Sequence, residues 1–434
     1  MVDLPATGSH VQITTSAQTY TGTLLPQESD LVVLKLTSGY NIGILPKHIT
    51  GIKELDSPSS TQTEKPAPAK QDTSLPTITL LHTGGTIASK VDYSTGAVVA
   101  DFDPASLLEL FPELASIAEI KSEFLGNMFS DDFRFVHFNK IISAAFKALQ
   151  GGQKKIIVTS GTDFLHYIAA ALSFAFKDID VSILVVGSQR SSDRGSSDAG
   201  MNLICAAQFL ATTDFQGVGV CMHASTDDDA CFILPGVNSR KMHASRRDAF
   251  RSINTTPLAL VDYEKRETKL LRELPKRLTQ DLPTKLPLFK DSLKIGLCYA
   301  HPHMYAQELL TYNDFDGLIL AGSGLGHFPC TAIDDETSEH TNILNAIKTL
   351  AQTLPVLMTT QTLHGKVNMN VYSQGRKLNE AGVLGNFSAM TPETAFMKLA
   401  YLLSIETPKD KLQEELLTNY VGEQDVETLD TYEE

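Results

Sequence analysis

The chain has 434 residues, 42% of them hydrophobic and 20% charged, and a formal net charge of −15. This length allows two or three domains with buried cores, and the composition is that of an ordinary globular protein. The acidic excess argues against a chain that grips nucleic acid by itself, because phosphate binding requires Lys and Arg. No apolar run approaches the roughly 20 residues of a membrane span, and residues 1–10 lack a signal-peptide pattern.

The first 55 residues predict a small all-β barrel of the SH3 or Sm kind. Short β-branched runs at residues 11–14, 19–25, 31–36 and 38–44 are separated by turn residues. No acid, base or nucleophile cluster occurs there, which favours a binding module over a catalytic one. Residues 56–75 are polar and contain several prolines, so they predict a flexible linker.

Residues 76–274 alternate between strand and helix patterns. This order predicts a parallel sheet covered by helices on both faces. The predicted strands are residues 78–81, 155–159, 181–186 and 217–222, and the predicted helices are residues 138–149, 164–176, 199–210 and a segment near 104–111.

A second alternating block covers residues 291–412, after a gap rich in Pro, Lys and Leu. It predicts strands at 295–299, 317–321 and 356–359 and helices at 339–351 and 393–404. The fold class is therefore α/β, with a small N-terminal all-β barrel and two doubly wound α/β domains. Residues 413–434 are acidic; they can begin as a helix, and their end is expected to be a solvated tail.

The five cysteines are dispersed and have no C-x-x-C spacing. Their odd number predicts reduced thiols in a cytoplasmic protein and gives no zinc signature. His301, His303 and His327 show no metal-ligand spacing either, so we predict no metal site. Residues 322–326 mimic a dinucleotide fingerprint but lack its third correctly spaced glycine.

Polar clusters follow three predicted strands of the first α/β block, at the edge where such sheets bind ligands. They are residues 83–86 with paired glycines, residues 160–163 and residues 187–190, and Lys241 lies further along the chain. Two hydroxyls, a carboxylate and an amine would together form an activated nucleophile. Each alone could instead be a helix cap or a surface pair, and Thr86 in particular could cap the next helix.

Residues 83–87 (TGGTI) and 160–163 (SGTD) strongly resemble the two signature motifs of bacterial-type L-asparaginases, over residues 76–405. That resemblance implies the L-asparaginase fold for both α/β domains. A narrower resemblance is carried by the β module, by residues 187–194 (GSQRSSDR) and by residues 240–250 (RKMHASRRDAF). These segments resemble the D subunits of archaeal glutamyl-tRNA(Gln) amidotransferases.

The resemblance implies an amidohydrolase subunit that releases ammonia from glutamine or asparagine. A tRNA-binding partner, the E subunit, would use that ammonia with ATP and Mg²⁺ to amidate Glu-tRNA(Gln). This chain would carry no cofactor and would form the homodimeric core of a heterotetramer. The alternative is a free-standing cytosolic L-asparaginase with an added N-terminal barrel.

The resemblance also implies roles for single residues. Thr86 would be the nucleophile that forms an acyl-enzyme, and Tyr93, on a mobile lid, would orient it. Lys241 would be the base, Thr162 would relay a proton or position water, and Asp163 would hold Lys241 and the substrate ammonium. Ser130 would bind the substrate carboxylate.

The chain departs from the bacterial enzymes in two places. The segment between Thr86 and Tyr93 is shorter, and Asp131 stands where those enzymes have glutamine. Arg246, Arg247 and Arg251 have two open interpretations, a solvated basic face or a contact with the partner or tRNA.

Overall fold

The computed structural model describes residues 4–16, 18–25, 31–36, 41–55, 71–85, 87, 89–91, 98–100, 108, 110–192, 196–275 and 282–426. Several predictions lie outside these ranges. They are Thr86, Tyr93, most of the predicted linker, most of the helix near 104–111, and the last eight residues of the acidic tail.

The N-terminal region is all-β, as predicted. It contains β1 (His10–Thr15), β2 (Thr19–Leu24), β3 (Val32–Leu36), β4 (Asn41–Ile44) and β5 (Ile49–Glu54). They form one antiparallel sheet in the order β4-β3-β2-β1-β5. The sheet has its own apolar core of Val11, Ile13, Leu24, Val32, Leu34 and Ile44.

The largest sheet has eight strands in the order β17-β16-β13-β12-β11-β10-β6-β9. The strands of this region are β6 (Thr77–His82), β7 (Ser89–Val91), β8 (Val98–Ala100), β9 (Glu119–Phe124), β10 (Lys155–Thr159), β11 (Ser182–Val186), β12 (Gly217–His223), β13 (Ala230–Pro235), β14 (Ser239–Lys241), β15 (Phe250–Ser252), β16 (Ala259–Asp262) and β17 (Thr268–Leu270). From β12 to β9 all neighbours pair in parallel, as predicted.

The other end of this sheet is antiparallel, which the sequence did not predict. Strands β13, β16 and β17 pair antiparallel with their neighbours. The link between β12 and β13 is only residues 224–229, too short for the crossover helix that a parallel pair needs. The chain therefore turns back, and the sheet is mixed.

Helices cover the two faces of the sheet: α1 (Phe135–Gln150), α2 (Leu165–Ala175) and α3 (Ala199–Thr212). Successive side chains of β10 point to opposite faces, as the pleat requires. Ile156 and Val158 pack with α1 and α2, whereas Ile157 packs with α3. Both faces are thus buried, and the doubly wound prediction is confirmed.

The C-terminal α/β domain has a three-stranded parallel sheet in the order β18-β19-β20. Its elements are β18 (Ile295–Tyr299), α4 (Ala306–Leu310), β19 (Gly317–Gly322), α5 (Glu339–Thr353), β20 (Val356–Thr360), α6 (Ser373–Glu380), α7 (Pro392–Ser404) and α8 (Lys409–Leu417). Helix α7 joins the domains, because Tyr401 stacks on Phe174 of α2 with ring centroids 6.0 Å apart. None of the helices in the described part of the chain is long and apolar enough to cross a membrane.

Part of the acidic C-terminal segment beyond helix α8 packs against the fold, although its composition indicates a solvated tail. After α8, Glu423 is fully buried, and its Oε1 lies 2.6 Å from Nζ of the fully buried Lys398. The backbone N–H groups of Tyr420 and Val421 donate to the same carboxylate. A buried charge needs such partners, so this acid is structural and not part of a solvated tail.

Deleting residues 1–70 is expected to leave the two α/β domains folded, because the N-terminal sheet has a separate core. Gln71 is worth keeping, since its side chain accepts from Ile120 N at 2.6 Å and donates to Ile120 O at 3.1 Å on the edge strand β9. A chain starting at Pro76 lacks these two hydrogen bonds. It should also fold, but its melting temperature should be roughly 2–4 °C lower, which corresponds to a loss of about 1 kcal/mol in the free energy of unfolding. Thermal unfolding followed by circular dichroism tests this, and loss of a cooperative transition in the longer variant would contradict it.

Candidate active site

A glycine turn follows β6 and brings the chain onto the next strand end. Thr83 N and Oγ1 both donate to Thr159 O, at 3.1 and 2.9 Å. Gly84 and Gly85 have φ of +118° and +85°. A Cβ on Gly84 would lie 2.4 Å from Met128 N, and one on Gly85 would lie 2.5 Å from Gly161 N. Only glycine permits both this backbone conformation and this close approach.

The second predicted cluster, residues 160–163, links β10 to α2. Ser160 N donates to Val186 O at 3.0 Å, which ties this loop to the neighbouring strand β11. The buried Ser130 lies against the same loop, because its Oγ accepts from Phe164 N at 3.1 Å. The structure therefore brings Ser130 close to the segment that carries Thr162 and Asp163.

Lys241 reaches this cluster from the end of β14. Its Nζ donates to Thr162 Oγ1 at 2.8 Å and to Asp163 Oδ1 at 2.9 Å. The Lys241 side chain is only 10% exposed, whereas Asp163 is 65% exposed. The amine is thus enclosed, while the carboxylate that pairs with it still faces solvent. A hydroxyl and a carboxylate that both contact one amine can act together in general acid–base catalysis.

The third predicted cluster borders the same place. Gln189 Oε1 lies 3.5 Å from Thr162 Oγ1. The buried Asp198 accepts from the backbone N–H groups of Gln189 and Arg190, which fixes this loop. Sequence reasoning did not single out Asp198, which lies directly before helix α3.

The arginines of the basic segment bind carboxylates of this chain. Arg246 and Arg251 both pair with Asp248, at 2.8 and 2.7 Å, and Arg247 pairs with Asp228. Burial alone would raise the pKa of Asp248, but hydrogen bonds from the two guanidinium groups lower it. Much of the positive charge of this segment is therefore neutralised within the chain.

A cleft of about 430 Å³ opens beside Lys241 and Asp163. Its walls include His166 and Tyr167 of α2 and, from the C-terminal domain, Tyr299 and Glu393. Burial lowers the pKa of His166 to about 4, so its imidazole is neutral at pH 7. Among the described residues, no three or more His, Cys, Asp and Glu side chains are grouped so as to hold a metal ion.

Sequence reasoning also missed the pair of Arg240 and Glu393. Arg240 Nε donates to Glu393 Oε1 at 2.8 Å, from strand β14 to helix α7 of the other α/β domain. The only signal was the position of Arg240 next to Lys241. Nothing in the sequence around Glu393 indicates which strand it faces.

Comparison with known proteins agrees with this architecture. Residues 77–276 match the family model "Asparaginase, N-terminal", and residues 294–416 match "Glutaminase/Asparaginase C-terminal domain". The fold is similar to that of the thermostable L-asparaginase from Thermococcus kodakarensis, with a TM-score of 0.67 and 28% identity over 80% of this chain and 98% of that one. L-asparaginase I from Vibrio cholerae gives a TM-score of 0.67 and 25% identity over 80% of this chain and 99% of that one. The chain is therefore a member of the asparaginase class.

A narrower family is also shown. Residues 6–55 match the model "GatD N-terminal domain". The chain is 39% identical to the glutamyl-tRNA(Gln) amidotransferase D subunit of Pyrococcus furiosus, over 93% of this chain and 90% of the relative. It is 38% identical to the D subunit of Methanococcus maripaludis strain C5, over 96% and 97%. The chain belongs to the family of glutamyl-tRNA(Gln) amidotransferase D subunits, as its motifs predicted.

Two buried histidines beside the site predict acid sensitivity. Burial lowers the pKa of His82 and of His166 to about 4, against about 6.5 in an unfolded chain. Between these values the unfolded state binds protons that the folded state does not, so stability is lost as pH falls from about 6.5 towards 4. The free energy of unfolding therefore has a positive slope against pH in this range. We expect His166→Leu to lower that slope by about 1.4 kcal/mol per pH unit, because it removes one such imidazole.

Urea unfolding at pH 7, 6 and 5 measures this effect. The control is His48→Leu, in the turn between β4 and β5, because it removes an imidazole that the fold leaves exposed. If the free energy of unfolding changes with pH equally in the wild type and in His166→Leu, then the fold does not hold His166 neutral.

Proposed function

We propose that this chain is a glutaminase/asparaginase-type subunit that releases ammonia from glutamine or asparagine for transamidation of Glu-tRNA(Gln). The observation that carries the proposal is the contact of Lys241 Nζ with Thr162 and Asp163 at the carboxyl edge of the sheet. The family supports it, because relatives that cover nearly the whole chain are glutamyl-tRNA(Gln) amidotransferase D subunits.

In this proposal Thr86 is the nucleophile. It follows Gly85, whose backbone lies against Gly161, one residue before Thr162. The Thr86 hydroxyl attacks the side-chain carboxamide carbon while Lys241, through Thr162, takes its proton. The amide nitrogen gains a proton and leaves as ammonia, and water then hydrolyses the acyl-enzyme. Backbone N–H groups of the glycine turn can stabilise the oxyanion.

Three further side chains bind the substrate. Ser130 accepts a hydrogen bond from Phe164 N, so its own proton is left to donate to the substrate carboxylate. The Asp163 carboxylate is partly exposed, so it can bind Lys241 on one side and the substrate ammonium on the other. Tyr93 would close over Thr86 as part of a lid.

The ammonia then serves a second protein. We infer a partner, the E subunit, that binds Glu-tRNA(Gln) and uses ATP and Mg²⁺, around a homodimer of this chain in a heterotetramer. We assign no cofactor to this chain. All five cysteines are free and buried, which fits a reducing cytoplasm.

The second candidate function is that of a free-standing L-asparaginase. It is favoured by the solved structures, since L-asparaginases cover about 80% of the chain. The N-terminal residues 6–55 and the basic segment argue for the amidotransferase, because a simple hydrolase needs neither. The two functions differ in whether ammonia release depends on a partner.

Substitutions in the site should remove amide hydrolysis and leave the fold intact. We expect Thr86→Ala, Thr162→Ala, Asp163→Ala and Lys241→Ala each to lower kcat by about 10²–10⁴-fold, because the groups act as one unit. Ammonia release and thermal unfolding are measured together. Lys265→Met is the control, as it breaks an exposed lysine–aspartate pair of comparable length, 2.7 Å, with Asp262 of β16. A Thr86→Ala protein with near-normal turnover would show that another group is the nucleophile.

Ammonia release should depend on the partner. A subunit that hydrolysed glutamine continuously would waste amide donor, and lids commonly complete a site only when closed. We expect slow glutamine hydrolysis by this chain alone, and at least about tenfold faster hydrolysis once the partner and Glu-tRNA(Gln) are added. Ammonia is measured with and without each component at fixed ionic strength. Fast turnover that ignores both would favour the free-standing asparaginase.

A further inference from the structure

The strand that carries Lys241 belongs to a small sheet of its own. β14 has only three residues and pairs with β15 in a separate two-stranded sheet. Among the strands that the structure describes, β14 is not paired with any member of the eight-stranded sheet that positions Thr162 and Asp163. The distance between Lys241 and those two residues therefore depends on what packs against β14.

The first turn of helix α7, from the C-terminal domain, holds this strand at two points. Glu393 Oε1 accepts from Arg240 Nε at 2.8 Å. Thr394 Oγ1 donates to Val237 O at 2.6 Å, just before the strand begins. The helix start is itself fixed, because Pro392 is its first residue and the Thr391 side chain accepts from Thr394 N.

The same helix packs against the other half of the site. Phe396 makes an edge contact with Tyr167 of α2, with ring centroids 5.8 Å apart. Helix α2 begins two residues after Asp163. One helix of the C-terminal domain thus contacts both the element that follows Asp163 and the strand that carries Lys241.

We propose that Glu393 is a positioning residue, which holds β14 through Arg240 so that Lys241 stays in contact with Thr162 and Asp163. This proposal rests on the proposed function, because it assigns Lys241 as the base. The Glu393 side chain is 6% exposed and that of Arg240 is 26% exposed. The pair is therefore largely shielded from solvent, and removing the carboxylate leaves the guanidinium without its counterion beside the base.

Arg240 satisfies only one of the two oxygens of this carboxylate. Its second oxygen, Oε2, is buried and has no hydrogen-bond partner among the residues that the structure describes, a cost that calls for a reason. A fixed Arg240 provides one, because a displacement of about 1 Å at a reacting group can lower a rate by up to about 10²-fold.

The test compares variants of the full chain in complex with its partner. Glu393→Ala removes the acceptor of Arg240, whereas Glu393→Gln keeps a neutral acceptor. Lys290→Ala is the matched control, because it breaks the exposed pair of Lys290 and Glu406, 2.8 Å long, at the other end of α7. Ammonia release gives kcat and KM for glutamine, well below the melting temperature of each variant.

We expect Glu393→Ala to lower kcat by about 10–100-fold with KM changed less than twofold. Glu393→Gln should keep kcat within about threefold of the wild type, and Lys290→Ala should change neither constant. Arg240→Ala should cost as much as Glu393→Ala, and the double variant no more than either, because both remove one contact. If Glu393→Ala does not fold, Thr394→Val replaces it, with a smaller loss of kcat expected.

Three results would overturn the proposal. They are a normal kcat in folded Glu393→Ala, an equal loss in Lys290→Ala, or a loss carried by KM alone. A wild-type complex that releases no ammonia would instead refute the proposed function. Hydrolysis that needs Lys241 but is indifferent to Glu393 would refute only this inference.

Discussion

The structure depends on one close approach of backbone to backbone. Because β6 and β10 pair in parallel, with His82 opposite Thr159, the turns after both strands leave the same edge. Gly85 then lies so close to Gly161 that a Cβ atom on Gly85 would be 2.5 Å from the Gly161 nitrogen. Without side chains at this crossing, the two polar loops can share one crevice. A methyl group here would push apart the segments whose contact defines the site.

The second α/β domain also lines the candidate site, although that domain carries none of the predicted catalytic residues. Helix α7 provides apolar contacts to α2, a carboxylate to Arg240 and the buried Lys398 to the C-terminal segment. These contacts lie along one helix, so the orientation of the two domains and the geometry around Lys241 are set together. Rigid helices and strands position a site more accurately than loops alone.

The parts of the fold that could be predicted from the sequence are those that continuous apolar runs and glycine turns determine. The runs of β6, β10, β11 and β12 could be recognised because these strands are buried on both faces. The antiparallel strands from β13 to β17 were missed. Four of them, β14 to β17, have only three or four residues, which give little periodicity. Glu393 was missed because a contact between distant elements leaves no local pattern, and Glu423 because composition cannot distinguish a buried acid from a solvated one. The roles of all the predicted site residues stay predictions, and Thr86 and Tyr93 are not among the residues described.

The burial of Glu423 has a consequence for how the gene can be shortened. Lys398 lies inside the core with that carboxylate and the Thr418 carbonyl as its acceptors, and the Gly422 carbonyl accepts from Asn238, three residues before Lys241. A stop codon at position 423 would leave the buried Lys398 ammonium with the Thr418 carbonyl but without its carboxylate counterion. We expect such a product to be less stable and therefore less abundant in cells. The acidic C-terminus is thus part of the fold up to Glu423.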